Sequence, residues 1–166
     1  EIDRFFNKLK KNINKINSIY IITGPGSFTG VRSALTFAKT LSLIKKIKIF
    51  GLSKFEILNS CIKEDDRRRK RKIFIHFKDS QFFLQNFVGD NPSGFPKLIN
   101  LSNYKTQYIK NTAYVCDKDL IYSYLSKKLK EDILIINFNL NKLPHLIKKN
   151  MIVKSEPKPL YINNYF

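Results

Sequence analysis

ITGPGSFTGVR, residues 22–32, places three of the chain's six glycines within seven residues, in a sequence where glycine is otherwise scarce. The run before it, SIYII (18–22), is apolar and short, as a buried strand is. The segment after it, from Gly30 to about Lys45, has helical spacing with small residues at Ser33, Ala34, Ala38 and Ser42. A strand, a glycine-rich turn and a helix can hold an anion, because the first amides of a helix have no internal partners. Ser27 or Thr29 is placed to cap that helix, and Gly24, Gly26 and Gly30 permit close approach of a ligand or of another backbone. The known phosphate motifs do not fit. There is no G-K-[ST] ending, and the spacing G-x-G-x-x-x-G misses the dinucleotide fingerprint by one residue. Two readings therefore stay open: a phosphate contact through Gly24, Gly26, Ser27, Thr29, Gly30 and Arg32, or a turn that serves packing alone.

Outward from this loop the first third alternates. Ile2, Phe5, Phe6, Leu9, Ile13 and Ile16 recur at helical spacing and predict an amphipathic helix over about 2–14. IKIFGL (47–52) is a second strand, and Ser53 with Glu56 forms an S-x-x-E capping box that opens a third helix. Helix, strand, helix, strand, helix is the order of a parallel α/β layer. After KEDDRRRKRK (63–72) the style changes. KIFIHF and QFFLQNFV read as a hairpin joined by KDS, GDNPSGFP as a loop, and KLINLS as a third strand. TAYVC and DILIINF are short buried strands flanking a helix over 117–130. The expected division is 1–63, a first α/β lobe holding the loop; 64–155, a second α/β lobe; and 156–166, a tail.

The chain has 166 residues, 43% of them hydrophobic, enough for a real core. No apolar run approaches the roughly 20 residues that span a bilayer, so no membrane association is expected. No signal peptide is visible, and two distant cysteines, Cys61 and Cys116, suit a reducing cytoplasm. The net charge is +18. The lysines are spread along the chain, and only RRRKRK (67–72) is a true cluster, either a solvated loop or an RNA-contacting patch. His76 and His145 have no matching ligand spacing, so no metal site is expected. Glu64, Asp65 and Asp66 sit beside the basic run as a charge-balanced loop rather than an acid/base dyad.

GPGSFTGVR, followed by a small-residue helix and then by IFGLSKFEIL, closely resembles the signature of the TsaB family, also called YeaZ. SEPKPLYI (155–162) resembles that family's E-P-x-Y-L-R ending. The resemblance is strong over 18–58, moderate over 155–163 and weak between. It implies an actin-like ATPase (ribonuclease H-like) fold of two lobes and a non-catalytic role. The chain would bind and activate a TsaD-like catalytic subunit that transfers a threonylcarbamoyl group to the adenosine next to the tRNA anticodon. A TsaE-like ATPase, a homodimer and indirect or weak tRNA contact remain open as further partners. No intrinsic cofactor is implied, with ATP or ADP at a subunit interface left open. TsaD carries a metal-binding His-x-x-x-His, which has no counterpart here.

The departures are specific. The family's leading strands with their Asp-Thr or Asp-Ser pair are absent, so the first lobe is expected to be truncated with an exposed sheet edge. The Asp-Ala-Arg of the second lobe is represented only by Lys78, Asp79 and Ser80, and the terminal Arg of the ending by Asn163. A fragment, a misassigned start or a decaying gene would each account for this. The resemblance implies partner contact through the two helices flanking the loop: Phe5, Phe6 and Leu9 from the first, and Ser33, Ala34, Phe37, Ala38 and Leu41 from the second. The alternatives are a nucleotide-handling enzyme or peptidase-like protein of the same fold, and a basic RNA-binding module.

Overall fold

The computed structural model describes residues 2–62, 70–100, 102–104, 112–116, 133–136, 141, 143–148 and 156–162. Helix α1 (Ile2–Asn12) runs through a 3-10 turn (Ile13–Lys15) into strand β1 (Ser18–Gly24). Helix α2 (Phe28–Lys45) returns the chain to β2 (Lys48–Ser53), which pairs with β1 in parallel from Ser18↔Lys48 to Ile22↔Leu52. Ile19, Ile21 and Ile49 face α2, where Leu35 and Ala38 meet them. Tyr20, Ile22 and Leu52 face the other way, against Ile57 of α3 (Lys54–Ser60) and Leu146 of α4 (Leu143–Lys148). Helices cover both faces, which is why SIYII is a continuous apolar run rather than an alternating one.

The second sheet has five strands in the order β5-β4-β3-β6-β7: β3 (Lys70–Lys78), β4 (Gln81–Val88), β5 (Asn91–Asn100), β6 (Thr112–Cys116) and β7 (Ile133–Ile135). β3, β4 and β5 are antiparallel neighbours, whereas β6 joins β3, and β7 joins β6, in parallel. Ile73, Ile75, Phe83, Phe87 and Val115 meet Phe55, Leu58 and Ile62 on one face. Phe74, Phe82, Leu84, Tyr114 and Cys116 form the core of the other. Because α3 sends Ile57 to the first sheet and Phe55 and Leu58 to the second, it is the layer that joins them.

Several sequence expectations need correction. GDNPSGFP is not a loop: only Gly89 and Asp90 turn, and β5 begins at Asn91. Pro92 and Pro96 are tolerated because β5 is an edge strand, where a missing N–H leaves no ladder partner unsatisfied. The pairing slips between Leu84 and Asn86, and the Gln85 amide fills that irregularity by donating to the carbonyls of Asn86 and Gly94, each at 3.0 Å. α2 begins at Phe28, two residues before Gly30, because Ser27 is its cap: the hydroxyl accepts from the Gly30 N–H at 3.3 Å. The capping box at α3 is half formed. Glu56 accepts from the Ser53 backbone, but the Ser53 hydroxyl makes no cap bond. α4 was not anticipated; Pro144 sits in its first turn, where a proline costs no intrahelical bond. The helix expected over 117–130 lies outside the described residues, as do residues 67–69 of the basic run.

Candidate functional site

β1 ends at Gly24, whose φ of 120° is a conformation that side chains disfavour. The Gly24–Pro25 peptide is cis, and the loop then climbs to Ser27 and the start of α2. The tail crosses directly over this point. The Leu160 N–H donates to the Thr23 carbonyl at 2.9 Å, and the Thr23 hydroxyl donates to the Leu52 carbonyl at 3.2 Å. A Cβ on Gly24 would stand 3.5 Å from the Leu160 carbonyl oxygen, while one on Gly26 would meet only a Val31 methyl at 4.0 Å. Gly24 therefore answers to its backbone conformation, since a Cβ there would meet the tail only at ordinary contact distance. Gly26, Ser27, Thr29, Gly30 and Arg32 are all exposed.

Two cavities flank the tail. One, of about 270 Å³, lies between the loop (Gly24, Pro25, Gly26), Phe28, Phe77, Phe83 and Tyr161. Its rim is aromatic: Phe28 and Tyr161 are 5.7 Å apart, and the Arg32 guanidinium sits 4.9 Å above the Phe28 ring. The other, of about 440 Å³, is bounded by Glu56, Gln85, Phe87, Phe95 and Pro159. The sequence reading had assigned Phe28, Tyr161 and Glu56 no place at a site.

Burial pushes the Glu56 carboxyl above its ordinary value of 4.5, and the hydrogen bond from the Ser53 N–H draws it partly back. A raised carboxyl pKa means that the folded chain holds this proton more tightly than the unfolded chain. The contribution of Glu56 to stability is therefore full below 4.5 and declines as pH rises above that value. Glu56→Gln is expected to flatten the decline, seen as a smaller loss of denaturation midpoint between acid and neutral pH. A parallel pH dependence in the two proteins would contradict it.

The residues expected at a partner interface do not share one face. Ala38 is 4% exposed and points with Leu35 into the first sheet, because it lies one helical turn from Leu35's row and over Ile21. Ser33, Ala34 and Phe37 are exposed and Leu41 is half-buried. Without Ser33, and with Gly30 before and Ile44 after, 70% exposed, Ala34, Phe37 and Leu41 make an apolar stripe at alternating steps of four and three residues. Ile44 was missed although it continues that spacing from Phe37. Leu9 is half-buried on α1; Phe5 and Phe6 belong to α1, and their side chains are outside the described ones.

The described members of the basic cluster, Lys70, Arg71 and Lys72, do not share one surface. Strand alternation along β3 buries Arg71 to 1% exposure, and the Lys72 ammonium donates to the Tyr104 hydroxyl at 3.2 Å, near the Tyr104 and Tyr114 rings. Of the described members, Lys70 alone is exposed. His76 lies on β3 with its Nε2 3.2 Å from the Asp79 carbonyl, and His145 lies on α4. Among the described residues no group of three His, Cys, Asp or Glu side chains could hold a metal ion. No helix among them is long and apolar enough to cross a membrane.

Against this geometry, residues 1–68 match the family model described as TsaD, tRNA N6-adenosine threonylcarbamoyltransferase. Over 154 residues the chain is 25% identical to the tRNA threonylcarbamoyladenosine biosynthesis protein TsaB of Buchnera aphidicola subsp. Schizaphis graminum, covering 93% of this chain and 66% of that protein. The TsaB of Buchnera aphidicola subsp. Acyrthosiphon pisum is 25% identical over 92 residues, covering 55% of this chain and 42% of that protein. The chain thus spans less than two thirds of either relative's length. Among solved structures, a Pseudomonas aeruginosa protein with similarity to peptidase YeaZ superposes with a TM-score of 0.62 at 12% identity, covering 98% of this chain and 82% of that one. YeaZ from Pseudomonas aeruginosa superposes at 0.60 with 13% identity, covering 93% and 79%. The fold is that of the YeaZ proteins, an actin-like α/β fold.

Proposed function

We propose that the chain is a protein of the TsaB/YeaZ kind, on its likeness to the Buchnera TsaB proteins and its YeaZ-like fold, and that it is a non-catalytic partner subunit in tRNA threonylcarbamoyladenosine biosynthesis. It docks on a TsaD-type protein and holds it in the arrangement that modifies the adenosine next to the anticodon. This work takes place in the cytoplasm, where tRNA is modified. The observation that carries the reading is the stripe of α2 made by Gly30, Ala34, Phe37, Leu41 and Ile44, which flanks, about 100° around the helix, the face that covers its own sheet. Small residues at Gly30 and Ala34 let a second helix approach closely, and Phe37 and Ile44 supply apolar area for it to bury. The exposed start of α2, with Ser27, Thr29 and Arg32, lies on the same helix. An ATP or ADP phosphate, with a TsaE-type ATPase as its source, would meet the first amides of α2 beside that contact.

The test is Ala34→Glu. A carboxylate at a close helix contact is desolvated without a partner, so association should weaken at least a hundredfold, which corresponds to about 2.7 kcal/mol or more. Calorimetric titration against a TsaD-type protein, with light scattering to follow self-association, reads the effect, and circular dichroism should stay unchanged. Undiminished binding would move the interface elsewhere. ATP turnover by the isolated chain that is lost on changing Thr29 or Arg32 would favour the enzymatic alternative instead.

A further inference from the structure

Between Asp3 and Glu56 the chain contains eleven Lys and Arg and no carboxylate at all. A general preference for lysine explains the cations. It does not explain why all thirteen Asp and Glu lie outside these fifty-two residues. The topology then gathers the charge. β1 and β2 are parallel with Ser18 opposite Lys48, so the segments that enter them meet at one end of the first sheet. The end of α1 and its 3-10 turn bring Lys10, Lys11 and Lys15 there, and the end of α2 brings Lys45, Lys46 and Lys48. All six are exposed.

The second group sits on a fixed corner. Lys46 takes the left-handed conformation that closes α2, the Ile47 N–H donates to the Ser42 carbonyl at 3.1 Å, the Ser42 hydroxyl donates back to the Ile47 carbonyl, and Ile47 is buried. Helix C-termini attract cations, but two ends offer only about half a negative charge each against six lysines. The surplus is positive by several charges. This pole lies at the N-terminal ends of the parallel strands, opposite the glycine loop that follows the end of β1.

We propose that this pole binds the phosphate backbone of RNA, through Lys10, Lys11, Lys15, Lys45, Lys46 and Lys48. Lysine is a hydrated point charge suited to phosphate rather than to bidentate base readout, and the exposed amides of Asn14 and Asn17 interleave as further donors to phosphate and sugar. Binding is consequently insensitive to sequence and steeply dependent on salt. The choice of RNA rests on the tRNA-directed role proposed above; the polyanion site itself rests on the charge and the topology.

Fluorescence anisotropy with an unmodified tRNA transcript tests it on the full chain. The triple variant Lys45→Gln, Lys46→Gln, Lys48→Gln is expected to weaken binding roughly tenfold or more near 0.1 M salt and to lower the salt slope by about two to three. A control with the same charge change on the second sheet, Lys70→Gln, Lys78→Gln, Lys97→Gln, should lose at most about threefold. Equal losses in the two variants would mean that net charge alone is at work, and an unaffected or undetectable affinity would remove the site. Displacement of the RNA by polyglutamate or by phosphatidylserine vesicles, as effective as by unlabelled tRNA, would overturn RNA as the ligand. Affinity for a TsaD-type protein, measured on the same variants, should not change. A failure here is therefore distinguishable from a failure of the subunit role.

Discussion

An Ala38→Glu variant is expected to lose roughly 3 kcal/mol or more of folding stability, and with it the cooperative unfolding transition at ambient temperature if the wild type is ordinarily marginal. The cause is local. Ala38 is 4% exposed and lies over Ile21, with Leu35, Ile19, Val31 and Ile49 around it. None of those side chains can hydrogen-bond a carboxylate. The variant must bury a charge, take up a proton, or lift α2 from the sheet. Helix propensity contributes little, since Glu costs only a few tenths of a kcal/mol relative to Ala. Proton uptake gives the prediction a second handle: the deficit should shrink at acid pH, where the introduced carboxyl is neutral. Ala34→Glu, one turn earlier on the exposed face, should leave the melting curve within about 0.5 kcal/mol of wild type. Chemical denaturation of the two variants at neutral and acid pH decides this. Equal stability of the pair would mean that α2 does not pack on β1 through Ala38.

Ala34 and Ala38 also mark where sequence reading stops. The elements around the glycine loop were legible because their signals are local: apolar runs for β1 and β2, helical spacing for α1 and α2, and a cap residue at Ser27. Which side of α2 faces the sheet was not, because alanine and serine on both sides give the helix no polarity to read. β5 was hidden for a related reason. Two prolines and a glycine within NPSGFP are loop signals anywhere except on a sheet edge, and edge position is a property of the whole sheet. Arg71 was hidden by its neighbours. A run of six basic residues suggests a solvated surface, yet strand alternation sends one of them inward to 1% exposure. The loop itself was found, but the two cavities beside it were not, because they are made by a tail more than a hundred residues away in sequence.

That tail yields the other large effect. Leu160→Asp is expected to cost roughly 2–4 kcal/mol and to loosen the glycine loop, because the residue serves both the core and the loop. Its side chain joins the cluster of Phe55, Leu58, Phe83 and Phe87, the layer that ties the two sheets together. Its N–H holds the Thr23 carbonyl, and its carbonyl and Cβ stand against Gly24. An aspartate would place a carboxylate among these apolar groups, on the wall shared by both cavities and near the already desolvated Glu56. The two acids disfavour each other's ionisation, so docking of the tail should weaken further as pH rises. Amide hydrogen exchange gives the decisive readout. Thr23, Gly24 and Gly26 should exchange at least tenfold faster, a ratio that corresponds to about 1.4 kcal/mol of lost local protection. Amides at the centre of β3 and β6 should follow only the change in global stability. Leu160→Met conserves volume and should stay within about 1.5 kcal/mol of wild type, with the loop still protected. If Leu160→Asp lowers global stability but exchanges Thr23 to Gly26 no faster than β3, the tail supports the core and does not hold the loop. If neither quantity changes, the tail is not docked at Gly24.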